Sequence, residues 1–450
     1  MRHLAWFFAV SVSVLLSPLG SAAKAEPAKV VVIGVDGVSL NLLEPYAKAG
    51  VTPNMKRMLE EGARGDLASI WPLRTPQVWT TAVTGKYPGQ HGIWDHLSNT
   101  YFNPPPFRTK EKIRVTTKDR RSKALWNILS EKNISTASVG WMATWPAEDV
   151  ASTVLVSPIE LKGDKRQTTI KGSFYRDAPN MVMPKSYEAS VRNLIVEASD
   201  LSAEDMTPFA SMPPESSALY KLPYLRRYVY GLKWSLARAR SVENITRSIA
   251  AKAQPDVLFT YFQCTDSMLH RFWIFQMGEE RVRARLKGHK LDASHAAELS
   301  KRFGKVVEAC YRDVDARIGR ILAEVAGPNT LVLLISDHGF GDAPEPHRMR
   351  DEPYSGNHLD DGIILAMGPG IPAGKLLKKV SILDITPSIL HHLGLPVASD
   401  MPGKVVGGII GASSKRAVEL IGSYEGKPQH EIPYQKGYPP KGSTRRSDFE

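Results

Sequence analysis

Four short runs of almost unbroken apolar residues constrain this chain most. They are Lys29 to Val35, Val257 to Phe262, Thr330 to Ile335 and Gly362 to Met367. A run of this length without polar alternation is read as a strand buried on both faces. Helical patterns lie between the runs, at Asn54 to Glu61, Ala124 to Glu131, Val306 to Ala326 and Ile385 to Leu393. Alternation of this kind predicts an α/β fold: a mostly parallel central sheet with helices on both faces. At 450 residues and 42% hydrophobic content the chain has ample material for a large core, which excludes wholesale disorder.

The middle reads differently. Between about Leu161 and Arg240 strand signals are sparse, and Pro213, Pro214 and Pro223 interrupt the pattern. Residues 161–249 are therefore expected to form an insertion or cap over a core built from 26–160 and 250–412, with 413–450 as a C-terminal extension. At the other end, Arg2 and His3 precede an apolar stretch from Leu4 to Leu19, and Ala23-Lys24-Ala25 follows. This is the form of a secretory signal peptide cut after Ala25. The stretch is short for a spanning helix of roughly 20 residues and carries Ser17 and Pro18. The expectation is a periplasmic or secreted protein with no membrane span in the mature chain.

Charge excludes little. Lys and Arg number 58 against 46 Asp and Glu, for a net charge of +12, which loss of Arg2 and Lys24 would lower to +10. The excess is spread along the chain, so specific nucleic-acid binding is not expected, and an anionic small-molecule substrate is compatible. Cys264 and Cys310 are the only cysteines, which rules out a cysteine-rich metal site and reads as two free buried thiols. Oligomeric state is not written in the sequence.

Acidic residues follow three of the runs. Asp36 comes directly after Val35, Asp337 and His338 follow Ile335-Ser336, and Asp266 lies four residues beyond Phe262. Ligands of open α/β sheets bind outside the carboxyl ends of the strands. One such Asp is ordinarily a turn or cap residue, but three gathered carboxylates repel one another and call for a cation. Asp266 and His270 are four apart and share a face on a helical turn. His358 stands just before the run at Gly362, and imidazole with carboxylate suits zinc. His347 is the rival to His358, in a Pro-rich setting that reads as plain loop. His391 and His392 sit in a helical pattern and read as packing residues.

With these residues in place, the chain resembles the type I phosphodiesterase/nucleotide pyrophosphatase family of the alkaline phosphatase superfamily. The resemblance rests on Val32-Ile33-Gly34-Val35-Asp36-Gly37, Thr52-Pro53-Asn54, Gly62-Ala63 and Thr84-Gly85-Lys86-Tyr87-Pro88-Gly89-Gln90-His91-Gly92-Ile93. Further along it includes Asp266-x-x-x-His270, Ser336-Asp337-His338-Gly339 and Ser381-Ile382-Leu383-Asp384-Ile385-Thr386-Pro387. It implies two divalent metal ions, zinc by preference. Asp36, Asp337 and His338 would hold one, together with Thr75, and Asp266, His270 and His358 the other.

The same resemblance implies that Thr75 is the nucleophile, passing through a phospho-threonine intermediate. His96 stands where nucleotide pyrophosphatases of the family carry a phosphate-binding Asn, and Pro76-Gln77-Val78 replaces the usual Phe-Pro-Asn. Both departures weaken the case for nucleotide specificity. Two divalent ions and three Asp leave the site at +1, which matches a phosphodiester monoanion. The alternatives are a metal-dependent phosphomonoesterase or phosphomutase of the same superfamily, and a non-catalytic zinc-containing binding protein. A sulfatase is excluded because no Cys or Ser stands in the C/S-x-P-x-R pattern at Thr75-Pro76-Gln77-Val78-Trp79.

Overall fold

In the computed structural model, residues 29–96, 115–159, 174–212, 223–286, 295–349, 352–359, 361–378 and 380–426 are described. The expected signal peptide, parts of the expected insertion and most of the expected C-terminal extension lie outside them. Their strands are β1 (Val30–Val35), β2 (Ala63–Ala68), β3 (Thr136–Val139), β4 (Thr153–Val156), β5 (Val182–Met183), β6 (Val257–Phe262), β7 (Leu331–Ile335), β8 (Gly339–Met349), β9 (Glu352–Leu359), β10 (Asp361–Met367), β11 (Lys375–Leu376), β12 (Val380–Ser381), β13 (Val397–Ala398) and β14 (Leu420–Ile421). Ten of them join one sheet in the order β11-β2-β10-β7-β1-β6-β3-β4-β5, with β12 also on β2, while β8 pairs with β9 and β13 with β14.

The centre of the sheet is parallel. β1 pairs in parallel with both β6 and β7, so Val35 lies opposite Phe262 and Gly34 opposite Ile335. β3 continues the parallel array on β6, and β4 on β3. Successive side chains of β1 leave by opposite faces. Val31, Ile33 and Val35 enter one apolar cluster, and Val30 and Val32 enter another. The first cluster is covered by the helices Leu40–Lys48, Pro53–Glu61, Pro223–Ala253 and Val306–Val325. The second is covered by Thr75–Thr84, Leu125–Ser130 and Ile385–His392. Both faces are dry, which is why the strands carry no polar alternation.

Two features differ from expectation. The run at Gly362 to Met367 forms β10 but runs antiparallel to β7 and β2. β8 and β9 form an antiparallel ribbon that leaves the sheet after β7 and returns directly into β10, with no crossover to reverse the direction. The Pro-rich stretch around His347 is thus strand rather than loop, His347 pairing with Tyr354 in that ribbon. The second is a 31-residue helix, Pro223–Ala253, which begins in the last part of the stretch where strand signals are sparse. Its buried residues Leu232, Leu236, Val242, Ile245 and Ile249 recur at helical spacing and pack on the sheet.

Cys264 and Cys310 are buried and unbonded. The Cys264 thiol and burial push the Cys310 thiol well above the ordinary range.

Candidate metal centre

Because β7, β1 and β6 are adjacent and parallel, their carboxyl ends open on one edge. Asp36 ends β1, and its backbone N–H donates to Phe262 O at 2.9 Å. Gly37 turns the chain with φ +73°, and a Cβ there would meet Asp266 Cα at 3.2 Å and His338 Cε1 at 3.5 Å. A side chain at this position would therefore be strained and would crowd two of the three acidic segments. β6 passes at once into the helix Cys264–Phe272, which carries Asp266 and His270 on one face. The returning ribbon strand places His358 opposite Phe340, close to where β7 ended at Asp337 and His338. Direct return of the ribbon is what brings a residue 20 positions downstream of His338 back to it.

The structure gathers two groups of donor atoms, Asp36–Asp337–His338 and Asp266–His270–His358. In the first, His338 Nε2 lies 3.3 Å from Asp36 Oδ1 and 3.4 Å from Asp337 Oδ2. In the second, Asp266 Oδ1 lies 3.2 Å from His270 Nε2 and 3.3 Å from His358 Nε2. Asp266 Oδ1 is also 3.9 Å from His338 Nε2, and the His338 and His358 rings stack at 3.6 Å, so the groups are contiguous.

Each imidazole has one nitrogen on a backbone carbonyl. His338 Nδ1 donates to Gly339 O at 3.0 Å, His270 Nδ1 to Gly356 O at 3.3 Å, and His358 Nδ1 to Leu73 O at 3.2 Å. This arrangement fixes the tautomer of a metal-ligating histidine and turns an Nε2 lone pair inward. Asp36 Oδ1, Asp266 Oδ1, Asp337 Oδ2 and His338 Nε2 are buried and lack a hydrogen-bond partner. Ligand atoms about 2.0–2.2 Å from a tetrahedral zinc are about 3.3–3.6 Å apart, close to the spacings above. The donor set fits two divalent cations.

Electrostatics point the same way. Burial and then the neighbouring Asp36 push the Asp337 carboxyl well above the usual carboxylate range. Burial opposes a charge on His338, yet Asp337, Asp36 and Asp266 raise its imidazole to about 10. Burial also opposes the Asp266 carboxylate, but His270 and His358 hold its pKa well below the ordinary value. Burial and His338 lower His358 to about 3. The three carboxylates thus draw positive charge toward His338 at the centre of the cluster.

Thr75 is the first residue of the helix Thr75–Thr84 and is buried. It follows Leu73, the acceptor for His358, by two residues. The first-turn N–H groups of a helix have no intrahelical partner, and this end of the dipole favours an anion. His96 belongs to neither donor group. Its backbone N–H donates to Asp95 Oδ1 at 2.6 Å, and its carbonyl accepts from Val115.

Sequence reasoning missed the supports of these ligands. The Tyr261 hydroxyl donates to Asp36 Oδ2, and Thr265 Oγ1 donates to the Asp36 carbonyl. Ser336 Oγ accepts from Val38 N–H at 2.8 Å and donates to His338 O at 3.0 Å. Burial and then Asp36 push the Tyr261 phenol well above its ordinary pKa, so it keeps its proton and acts as a donor. One signal was available: Tyr261 is a hydroxyl-bearing residue inside the otherwise apolar end of β6.

Comparison with known proteins gives partial relatives. A phosphopentomutase of Agrobacterium fabrum is 27% identical over 199 residues, which cover 42% of this chain and 41% of that protein. A 2,3-bisphosphoglycerate-independent phosphoglycerate mutase of Synechocystis is 37% identical over 117 residues, 23% of this chain and 21% of the mutase. The chain thus matches less than half the length of these curated relatives. Human ectonucleotide pyrophosphatase/phosphodiesterase 5 aligns in structure with a TM-score of 0.46 and 12% identity, covering 86% of this chain and 98% of that one. Residues 30–384 match the family model described as type I phosphodiesterase / nucleotide pyrophosphatase, and the chain belongs to that family.

Proposed function

We propose that the protein is an exported two-metal hydrolase that cleaves phosphodiesters through Thr75. The observation that carries this reading is the pair of contiguous three-donor groups, with three imidazole Nε2 atoms turned inward. Asp36, Asp337 and His338, with Thr75, would hold one divalent ion and Asp266, His270 and His358 the other; zinc suits these donors. When bound, such ions act as Lewis acids that lower the pKa of a hydroxyl and stabilise the attacking and leaving oxygens of an in-line displacement.

Thr75 Oγ1 gives up its proton and attacks phosphorus to become the ester oxygen of a phospho-threonine, while the oxygen of the departing alcohol takes the bonding pair and a proton. Water then attacks the same phosphorus, which releases the phosphate monoester, and one of the water's protons restores the Thr75 hydroxyl. Splitting the displacement into two steps is the general gain of covalent catalysis. The start of the Thr75–Thr84 helix favours the anionic substrate. His96 offers a hydrogen bond to a phosphoryl oxygen. The signal-like N-terminus supports the export reading.

A second reading, a phosphomonoesterase or phosphomutase, is supported by the names of the partial relatives. Arg74 bears on it. This residue immediately precedes Thr75, is half exposed, and has its Nε 3.9 Å from Asp95 Oδ2. A guanidinium here would favour a dianionic monoester over a diester. The deciding experiment compares bis-p-nitrophenyl phosphate with p-nitrophenyl phosphate on zinc-loaded protein. A higher kcat/KM for the diester supports the first reading; a clear preference for the monoester replaces it with the second.

A further inference from the structure

We propose that Tyr261 is a positioning residue for the Asp36–Asp337–His338 group, its hydroxyl leaving Asp36 a single oxygen with which to meet a cation. This assignment rests on the two-metal reading above. A carboxylate at the end of a strand can present either oxygen or both. At Asp36, Oδ2 is taken by the Tyr261 hydroxyl, whereas Oδ1 lacks a hydrogen-bond partner and lies 3.3 Å from His338 Nε2. Asp337 is divided the same way: Oδ1 accepts from Gly37 N–H at 3.3 Å, and Oδ2 faces His338. One oxygen of each Asp is thus held by the protein, and one is left for the ion.

The Tyr261 ring is itself fixed. Trp79 meets it edge-on at 4.8 Å, and Trp141 lies 6.1 Å away. The Arg238 guanidinium sits 5.5 Å from the ring centroid and is tied to Gln263 and to Gly140 O. Gly34 permits this packing, because a Cβ there would meet Trp79 at 2.8 Å and Tyr261 at 3.0 Å. A phenol clamped on these sides holds the carboxylate in one rotamer. Outer partners of metal ligands typically matter 10–100-fold in metal affinity.

The test is zinc titration of full-length mature protein, stripped with a chelator and refilled against a chromophoric competitor. Wild type should take up two ions. Tyr261→Phe removes one oxygen and keeps the ring; it should weaken one site by roughly 10–100-fold and leave the other unchanged. Activity should fall at limiting zinc and recover largely in excess. Two unaltered sites in Tyr261→Phe overturn the assignment while the two-metal reading stands. Wild type that binds fewer than two ions overturns both.

Tyr311→Phe is the control, since Tyr311 is another buried tyrosine and lies on the Val306–Val325 helix. An equal loss there would mark loosening of the core and overturn the assignment. Should Tyr261→Phe fail to fold, 3-fluorotyrosine at position 261 keeps the hydroxyl. Its fluorine resonance should move as zinc is added, and a resonance that stays in place overturns the proposal.

Discussion

His270 Nε2 and His358 Nε2 lie 2.9 Å apart, although each ring has its Nδ1 on a backbone carbonyl. With both Nδ1 atoms protonated, two lone pairs face one another beside the Asp266 carboxylate. That contact is repulsive unless a proton or a metal cation sits between them.

Metal removal should therefore destabilise the protein as well as inactivate it. A ligand that binds only the folded state adds about 2.7 kcal/mol at one hundred times its Kd. Chelator-treated protein should unfold at a lower temperature than untreated protein, and added zinc should restore the transition. Calorimetry with and without zinc checks this. An unchanged transition would count against a built metal site.

Thr75→Ala should abolish turnover by orders of magnitude and leave zinc content near wild type, because six protein ligands remain. Thr75→Ser keeps the hydroxyl and should retain much of the activity. Asp36→Ala should lose activity and one ion together. Metal analysis alongside single-turnover kinetics separates these cases; near-normal turnover in Thr75→Ala would argue for direct attack by water.

Acid should unfold the chain partly through His91. This imidazole is wholly buried, faces Thr81 Oγ1 at 3.0 Å, and accepts from Ile93 N–H on Nδ1 at 3.1 Å. Burial and then Arg120 lower its pKa from 6.5 to about 3. The unfolded chain therefore binds a proton between these values that the folded chain refuses. Stability from this group is complete above about pH 6.5 and falls by about 1.4 kcal/mol per unit as pH drops toward 3. Urea titrations across pH 4 to 7 should show a shallower slope in His91→Gln than in wild type.

Lys86→Met should cost about 3 kcal/mol. Lys86 Nζ lies 2.8 Å from Asp400 Oδ2, and the two side chains are 1% and 4% exposed. Removing one partner strands a buried charge, whereas replacing both with apolar residues restores part of the loss. The pair joins the turn after the Thr75–Thr84 helix to the segment near Met401. Denaturant midpoints of Lys86→Met and of the Lys86→Met/Asp400→Leu double variant decide it.

Four adjacent strands of the sheet, β10, β7, β1 and β6, were legible in the sequence. Val257 to Phe262 was read to its exact ends because a largely apolar run bounded by Asp256 and Gln263 leaves little freedom. The helical patterns at Asn54, Ala124, Val306 and Ile385 were found to within a residue or two. The Pro223–Ala253 helix was missed, since its Pro, Tyr and Arg content hid a buried stripe that is visible only when Leu232 to Ile249 are read at a period near 3.6.

By itself the sequence determined the six candidate ligands, because acidic residues at the ends of apolar runs, an Asp and His four apart and an ordered series of motifs are local properties. The resemblance implied how they group, and tertiary structure supplied what brings each group together. The parallel register of β7, β1 and β6 brings Asp337, Asp36 and Asp266 to one edge, and the β8–β9 ribbon returns His358 to Asp266 rather than leaving it in a loop. It alone also decided which atom of each residue is available. Gly339, Gly356 and Leu73 carbonyls take the three Nδ1 atoms, and Tyr261 takes Asp36 Oδ2. Those partners lie up to 285 positions away along the chain, and only a folded backbone sets them at hydrogen-bond distance.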